Sequence, residues 1–209
     1  ANPIATAAIA PSSRHLAAAM LKGLDFASLR TIVEFGPGTG VFTRATLEAL
    51  RAAHNTDAVF LALELNPRLA TELQAEFAPI AALDPRATPG QHDPRDRTHT
   101  TGPRVHIRND NALNIDRALA DSGRPHADLI ISGLGWPSIP AGVRDAILEK
   151  TAAALAPGRA FRTFGYHIGL SLPGAWGFRK TVRRLFSRVT ISPVVWRNLP
   201  PAFVYECVK

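Results

Sequence analysis

A short apolar run near the start of the chain ends in an acid and passes directly into a glycine-rich turn. The run reads RTIVEF at 30–35, the turn reads GPGTG at 36–40, and apolar residues at helical spacing follow through 41–53. Glycine tolerates positive φ angles and lets the backbone approach a ligand closely. This order predicts the first β-α unit of an open sheet, with a ligand at the carboxyl edge of the strands.

The same alternation of strand and helix continues along the chain. Four further strands are predicted from β-rich apolar runs, at 58–65, 104–110, 126–134 and 159–166. Helical spacing predicts helices at 67–77 and 140–158, the second of them ended by Gly158.

The last part of the chain has a different pattern. A short basic helix at 174–186 precedes two consecutive strands, 188–198 and 201–209, which we expect to be joined by a tight turn at the adjacent prolines. Strands that alternate with helices predict a parallel sheet with helices on both faces. The predicted fold class is therefore α/β, a doubly wound and mostly parallel seven-stranded sheet with an antiparallel terminal hairpin.

The length of 209 residues suits one domain, 1–209. Within it we expect an N-terminal helical lid at 1–29, a mobile surface loop at 84–104 and a basic amphipathic insertion at 167–186. The loop contains His92, Asp93, Asp96 and His99, but their spacing matches no known metal site, so no metal is predicted.

Cysteine content and hydrophobic patterning indicate the cellular environment. The single cysteine, Cys207, cannot form an internal disulfide, which favours a reducing compartment. The sequence contains no apolar run of about 18 residues, the length that a membrane-spanning helix needs, and no recognisable signal peptide. We therefore expect a cytoplasmic protein.

The net charge of +7 is unevenly distributed. Residues 1–140 contain 13 Lys/Arg and 14 Asp/Glu, whereas residues 141–209 contain 11 Lys/Arg and 3 Asp/Glu. A basic surface of this kind favours a polyanionic partner, either phospholipid head groups or nucleic acid. A solvated basic face without a partner is the alternative.

Polar residues lie at or near the carboxyl ends of the first four predicted strands. Glu34, Glu64 and Asp110 end the first three, and Ser132 lies in the fourth. A carboxylate offers two oxygens to two neighbouring hydroxyl donors, as on a ribose. The glycines at 36, 38 and 40 do not have the dinucleotide-binding spacing, which requires the third glycine one residue later. The pattern therefore predicts a smaller, nucleoside-sized ligand.

The motif E-x-G-x-G-x-G at 34–40 resembles the S-adenosylmethionine loop of class I methyltransferases. The resemblance implies that Glu34 orients the loop, that Glu64 binds the ribose hydroxyls and that Asp110 binds the adenine amino group, with a backbone contact from Asn111. The implied cofactor residues are Glu34, Gly36, Gly38, Thr39, Gly40, Glu64, Leu65, Asp110, Asn111 and Ser132. The implied cofactor is S-adenosylmethionine, and the product is S-adenosylhomocysteine.

Longer segments resemble the bacterial phospholipid N-methyltransferases that act on phosphatidylethanolamine. These segments are APSSRHLAAAML, VEFGPGTGVFTRA, LELNP, DLIISGLGWPSIP, AFRTFGY and WRNLPPAFVY, and together they extend from residue 10 to residue 208. The resemblance implies methylation of phosphatidylethanolamine or its partly methylated forms, on the way to phosphatidylcholine. Gly135 and Trp136 before Pro137 depart from the family pattern near the expected acceptor site.

Such an enzyme must position an amine and reach a lipid surface. Tyr166 and His167, at the end of the fifth strand, are candidates for a catalytic role. The alternatives are that Tyr166 only packs against its neighbours and that His167 is only solvated. The basic helix supplies candidate membrane-binding residues: Trp176, Phe178, Arg179, Lys180, Arg183 and Arg184. We expect peripheral association with the anionic inner face of the cell membrane and no obligate protein partner.

The segment NLPPAF at 198–203 resembles the motif by which nucleic-acid methyltransferases bind a base amine. In that family the motif follows the fourth strand, but here the fourth strand leads to SGLGWPS and NLPPAF lies between the last two strands. A nucleic-acid partner is therefore unlikely, and we expect 198–201 to be structural. The alternatives are an rRNA adenine N6-dimethyltransferase, a small-molecule methyltransferase and a cofactor-binding protein without turnover.

Overall fold

The computed structural model describes residues 12–81, 102–169 and 172–209. The strands are β1 Thr31–Phe35, β2 Val59–Glu64, β3 Arg104–Asn109, β4 Ala127–Ser132, β5 Leu155–Tyr166, β6 Arg188–Ile191 and β7 Ala202–Val208. The helices are α1 Arg14–Leu21, α2 Val41–Ala52, α3 Pro67–Ala81, α4 Ile115–Asp121, α5 Ala141–Ala154 and α6 Pro173–Leu185.

The seven strands form one sheet with the order β3-β2-β1-β4-β5-β7-β6. The first five strands pair in parallel, and β7 pairs antiparallel with both β5 and β6. The predicted fold class is confirmed. Because the strand order reverses at β1, the carboxyl ends of β1, β2 and β4 open onto one crevice, where sheets of this type bind ligands.

Helices cover both faces of the sheet. Every residue of β1 and β2 is buried, and alternate residues of β1 belong to different apolar clusters. Ile32 packs with residues of α1, α2 and α3, whereas Val33 packs with residues of α4, α5 and α6. Burial on both faces explains why these strands read as continuous apolar runs.

The structure differs from the predicted elements at four places. The helix predicted at 140–158 ends at Ala154, and Gly158 lies within β5 at φ +74°, where its N–H donates to the Lys209 carbonyl. The sequence reading also missed α4. The strand predicted at 188–198 ends at Ile191, and the turn at the prolines is part of a longer connection at 192–201, with one isolated pairing between Val195 and Ala202.

The predicted lid and loop lie partly outside the described residues. Residues 1–11 of the lid and 84–101 of the loop are outside, including His92, Asp93, Asp96 and His99. Within the lid, Leu16 and Met20 of α1 are fully buried against the sheet. The Arg162 guanidinium donates to the carbonyls of Met20 and Lys22 at 2.9 and 2.8 Å, so the C-terminal end of α1 is fixed to β5.

Helix α6 is held close to the rest of the fold by two glycines. A Cβ at Gly174 would lie 2.4 Å from the Pro137 carbonyl oxygen, and a Cβ at Gly177 would lie 2.6 Å from the Arg144 guanidinium. The Thr181 hydroxyl donates to Asp145 of α5 at 2.9 Å. Helix α6 is therefore packed tightly onto α5 and the 136–138 turn.

This packing predicts that Gly174→Ala destabilises the protein. The clash is with backbone, which cannot move aside, so we expect the free energy of unfolding to fall by about 1–3 kcal/mol. Gly142→Ala is the matched control, because Gly142 is also in the first turn of a helix and a Cβ there meets nothing within 4 Å. It should leave stability unchanged or raise it by up to about 1 kcal/mol. Urea unfolding measures both changes, and equal effects of the two substitutions would contradict the packing.

Candidate functional site

The three glycines after β1 have positive φ angles of 60°, 58° and 80° but different surroundings. A Cβ at Gly36 would lie 2.8 Å from Leu134, and a Cβ at Gly40 would lie 2.7 Å from Leu73, so both positions allow close packing. A Cβ at Gly38 would meet nothing within 4 Å. The turn therefore leaves open space above Gly38, as a ligand-binding turn requires.

Glu64 joins this turn to the end of β2. Its carboxylate accepts the Gly38 N–H at 3.0 Å through Oε2 and the Asn66 N–H at 2.8 Å through Oε1. The side chain is nevertheless at the surface of a pocket, and each carboxylate oxygen has a second lone pair. Glu64 can therefore accept two further hydrogen bonds from a bound ligand.

Asp110 follows β3 and is already held by three donors. Its Oδ1 accepts the Asn111 N–H at 2.8 Å and the Asn114 amide at 2.6 Å, and its Oδ2 accepts from Arg117 at 2.6 Å. Burial raises the pKa of Asp110, but the hydrogen bonds from Asn114, Arg117 and Asn111 outweigh it and hold the pKa below its ordinary value. Asp110 is thus an ionised acceptor in a fixed orientation.

One pocket, here called the cofactor pocket, brings these residues together. It is lined by Gly36, Gly38, Leu63, Glu64, Leu65, Asn66, Leu69, Asp110, Asn111, Ala112, Gly133, Leu134, Gly135 and Ile147. Six of the ten predicted cofactor residues are among them. Asn66, two residues after Glu64, and the glycines on either side of Leu134 were missed, although their places after β2 and β4 could have indicated them.

The other four predicted cofactor residues do not line this pocket. Ser132 is fully buried, and its hydroxyl accepts the Leu134 N–H at 3.2 Å. The Thr39 carbonyl accepts from Arg44 at 2.8 Å, and Gly40 begins α2. Glu34 is buried in the core and does not line the pocket. These residues shape the turn and the strand ends from outside the pocket.

Glu34 is fully buried and only half satisfied. Its Oε2 accepts the Thr43 hydroxyl at 2.7 Å, and its Oε1 has no partner. Burial raises the pKa of Glu34 to about 8, the Thr43 hydrogen bond opposes the shift, and the charge of Glu64 adds to it. Glu34 is therefore mainly a neutral carboxylic acid near neutral pH.

A second pocket adjoins the first and is mainly aromatic and apolar. This aromatic pocket is lined by Leu134, Gly135, Trp136, Pro137, Ser138, Phe164, Gly165, Tyr166, Ile168, Gly169, Leu172, Ala175, Phe178, Phe203 and Tyr205. It shares Leu134 and Gly135 with the cofactor pocket. The Trp136 indole N–H donates to the Thr163 hydroxyl at 2.8 Å, which fixes the ring in the pocket wall.

The membrane role predicted for Phe178 is wrong. Its side chain is 3% exposed and lines the aromatic pocket, with ring centroids 5.3 Å from Trp136 and 5.2 Å from Tyr205. Trp176, two residues earlier, points outward and is 67% exposed. On a helix, residues two apart lie on opposite sides, so one helix face could not present both rings.

The basic residues of α6 differ in their surroundings. The Arg179 guanidinium lies 5.4 Å from the Trp176 ring centroid. Arg184 forms an ion pair with Glu149 of α5 at 2.8 Å. Lys180 and Arg183 are exposed. Arg184 is therefore paired with an acidic side chain, whereas Lys180 and Arg183 are directed at solvent.

The two catalytic candidates are separated. Tyr166 lines the aromatic pocket, and burial raises the pKa of its hydroxyl, which stays protonated at neutral pH. His167 is exposed, and its ring centroid lies 5.9 Å from that of Trp196. Tyr166 can thus contact an acceptor in the pocket, whereas His167 is at its outer edge.

Asn198 of the NLPP segment makes structural contacts. It is buried, its Oδ1 accepts the Ser13 N–H at 2.9 Å, and its amide donates to the Pro200 carbonyl at 2.7 Å. The side chain therefore links the 192–201 connection to the start of α1. Asn198 is not among the residues that line either pocket.

The described residues lack two further features, a metal site and a membrane-spanning helix. No group of three or more His, Cys, Asp or Glu side chains in 12–81, 102–169 and 172–209 could hold a metal ion. Within the same residues, no helix has the length and apolar character needed to cross a membrane.

Comparison with known proteins agrees with the fold and with the resemblance to bacterial lipid N-methyltransferases. No family model matches the chain. An ornithine lipid N-methyltransferase from Singulisphaera acidiphila is 29% identical over 205 residues, which cover 97% of this chain and 88% of the relative.

Solved structures of methyltransferases share the fold. Mitomycin 7-O-methyltransferase superposes with a TM-score of 0.58 and 17% identity over 94% of this chain, which spans 52% of that protein. Magnesium protoporphyrin IX methyltransferase from Synechocystis PCC 6803, solved with bound S-adenosylmethionine, gives a TM-score of 0.57 and 11% identity over 93% of this chain and 76% of its own. The fold is that of the class I methyltransferases.

The raised pKa of Glu34 predicts a pH-dependent stability. Unfolding returns the pKa from about 8 to 4.5, so it releases a proton between these values. The contribution of Glu34 is therefore complete at low pH and is lost as the pH rises through this window, by at most ~1.4 kcal/mol per pH unit. Glu34→Gln removes this dependence while keeping an oxygen for the Thr43 hydroxyl.

Urea unfolding from about pH 5 to about pH 8 should show the stability of Glu34→Gln rising relative to the native protein. A fixed cost of burying the amide would not change with pH. Glu48→Gln, at an exposed position on α2, is the control and should give a constant difference. A constant difference for Glu34→Gln as well would contradict the neutral state of Glu34.

Proposed function

We propose that this protein is an S-adenosylmethionine-dependent N-methyltransferase whose acceptor is the amine of a lipid. The observation that carries the proposal is the junction of two unlike pockets. A pocket with two carboxylates meets an aromatic, uncharged pocket at Leu134 and Gly135. The ornithine lipid N-methyltransferase relative supports the reaction class.

The residues of the cofactor pocket fit S-adenosylmethionine. Glu64 has lone pairs free for the ribose hydroxyls, Asp110 and Asn111 would lie against the adenine, and the open space above Gly38 suits the rest of the cofactor. When bound, the cofactor supplies a methyl group carried on a positively charged sulfur. The solved methyltransferase with bound S-adenosylmethionine supports this choice of cofactor.

The aromatic pocket selects the neutral form of an amine. None of the described residues that line it carries a charged side chain, so an ammonium ion entering it would lose its water without gaining a counter-charge from them. The aromatic rings can still attract a methylated ammonium product. The pocket therefore favours release of the amine proton before transfer, with the proton passing to solvent at the outer edge, where His167 lies.

Tyr166 is the residue we assign to the acceptor. Its hydroxyl stays protonated, so it can donate or accept a hydrogen bond but is a poor base. Its role is to orient the amine toward the junction of the pockets, and positioning of this kind is a large part of catalysis in two-substrate reactions.

Within the class of lipid amines, two head groups are to be compared as the methyl acceptor. We propose phosphatidylethanolamine or its partly methylated forms as acceptor, with phosphatidylcholine as the final product, whereas the relative is named for ornithine lipid. Both offer a primary amine on a lipid. We further propose that the protein acts from the inner face of the cell membrane, without an obligate protein partner.

An rRNA adenine N6-dimethyltransferase is less well supported. The Asn198 amide that would bind the base is committed to Ser13 and Pro200. After β4, where that motif is expected, the pocket is lined by Leu134 and Gly135.

Glu64→Gln should weaken S-adenosylmethionine binding by about 10- to 100-fold, because charged hydrogen bonds contribute about 1.5–3 kcal/mol. The substitution also places an amide N–H donor opposite a backbone N–H donor, where the carboxylate had an acceptor oxygen. Isothermal calorimetry measures the affinity, and Glu72→Gln, at an exposed position on α3, is the matched control with no expected effect. Unchanged binding by Glu64→Gln would refute the cofactor assignment.

Radiolabelled methyl transfer tests the acceptor. Phosphatidylethanolamine, ornithine lipid, RNA and a pool of small amines are supplied in parallel, and we expect transfer to at least one of the lipids. Tyr166→Phe should lower kcat by about tenfold while S-adenosylmethionine affinity stays unchanged. Transfer to RNA or small amines alone would overturn the lipid proposal, and full turnover by Tyr166→Phe would overturn the role of the hydroxyl.

A further inference from the structure

Most of the large exposed apolar side chains belong to segments that line or contact the aromatic pocket. Six are found in the described residues: Ile168 at 69%, Leu172 at 50%, Trp176 at 67%, Ile191 at 50%, Trp196 at 70% and Leu199 at 82% exposed. Five of them belong to α6, to the residues after β5 or to the 192–201 connection, and the sixth, Ile191, ends the edge strand β6. A contiguous exposed apolar surface beside a pocket marks an interaction site.

Contacts place the 192–201 connection at the mouth of the aromatic pocket. The His167 N–H donates to the Pro201 carbonyl at 2.8 Å, and the His167 ring contacts Trp196. Ile168, the next residue, lines the pocket. Trp196 and Leu199 thus lie on one side of the mouth, and Ile168 and Leu172 form part of the mouth itself.

The exposed residues of this connection are held by buried neighbours. The Val195 N–H donates to the Ala202 carbonyl at 2.6 Å. Asn198 lies between Trp196 and Leu199 and is fixed by its bonds to Ser13 and Pro200. The two apolar side chains are therefore displayed outward by an anchored backbone.

Positive charge accompanies the apolar surface. Arg14 and Arg197 are exposed, and the Ser13–Asn198 bond brings their backbones together. The pKa of His15 is lowered first by burial and then by the charges of Arg197 and Arg14, so both arginines lie close enough to act on this side chain. The chain from 159 to 209 contains nine Lys/Arg and one acid, Glu206, which pairs with Arg162.

We propose that Trp196 and Leu199, together with Ile168, Leu172 and Trp176, form a docking surface for an anionic lipid bilayer, with Arg14 and Arg197 at the level of the head groups. This inference rests on the proposed lipid acceptor, which must enter the aromatic pocket from a membrane. Docking by this surface directs the pocket mouth at the bilayer. A second copy of the chain fits less well, because two equally basic surfaces repel each other.

This surface differs from the one that the sequence indicated. The predicted membrane face was α6, but Phe178 is buried and Arg184 is paired with Glu149. The 192–201 connection carries the two most exposed large apolar side chains of the described residues, and it was not predicted to bind membranes. Aromatic and aliphatic residues flanked by arginine are typical of interfacial anchors.

Vesicle flotation tests the apolar part of the surface. Vesicles of phosphatidylcholine with about 30% phosphatidylglycerol serve as the probe. Trp196→Ala combined with Leu199→Ala should lower the partition coefficient about tenfold or more. Ile191→Ala is the control, since it removes an exposed apolar side chain of the edge strand β6 that is outside the proposed surface, and it should bind as the native protein does.

Two matched arginine substitutions test the charged part of the docking surface. Arg197→Gln should weaken binding to the anionic vesicles about fivefold, and this difference should vanish on pure phosphatidylcholine vesicles or at high salt. Arg188→Gln removes an exposed charge at the start of β6 and is the control. Equal effects of the two arginine variants would overturn the assignment of Arg197 to the docking surface.

Activity on detergent-dispersed lipid separates docking from catalysis. The Trp196/Leu199 variant should keep methyl transfer to dispersed lipid and lose it on vesicles. Native-like vesicle binding by this variant would overturn the docking proposal, as would a dimer in light scattering that the variant abolishes while vesicle binding persists. Failure of the proposed function is a different result, namely native vesicle binding without methyl transfer to any lipid.

Discussion

The carboxylate of Glu64 is the interaction on which the candidate site depends. It accepts one backbone N–H from the glycine turn after β1 and one from the loop after β2. A single side chain therefore sets the distance between two chain segments that are far apart in sequence. Because these bonds use one lone pair on each oxygen, the carboxylate that shapes the pocket remains available to a ligand.

The chemistry follows from the meeting of polar and apolar walls. Leu134 and Gly135 belong to both pockets, and Gly133 lies so close to the glycine turn that a Cβ there would be 2.5 Å from the Gly36 carbonyl. The segment after β4 thus has no room for larger side chains at this point. Trp136, held by its bond to Thr163, then begins the aromatic wall. In the proposed reaction, the methyl donor and the acceptor would meet across this short segment, which both pockets share.

The strand directions and the placement of the acids could be predicted from sequence, because alternating strands and helices favour parallel strands whose carboxyl ends share one edge. Glu64 and Asp110 come directly after β2 and β3, and the fold brings those ends to one edge. Side-chain direction could not be obtained in the same way: Glu34 and Ser132 also lie at strand ends but point into the core. The error at Phe178 was avoidable, since helical geometry separates it from Trp176, whereas the Arg184–Glu149 pair depends on tertiary packing that no local pattern encodes.

The segment NLPP illustrates why the same letters can have different roles. In a base-binding motif the asparagine must face a pocket with its amide free, which requires a position after β4. Here the segment follows β6, the amide is used by Ser13 and Pro200, and the backbone of the connection is fixed by those bonds. The consequence reaches the neighbouring residues. The bonds that occupy the Asn198 amide hold the backbone of the connection on one side, while Trp196 and Leu199 on either side of it stay exposed beside the aromatic pocket.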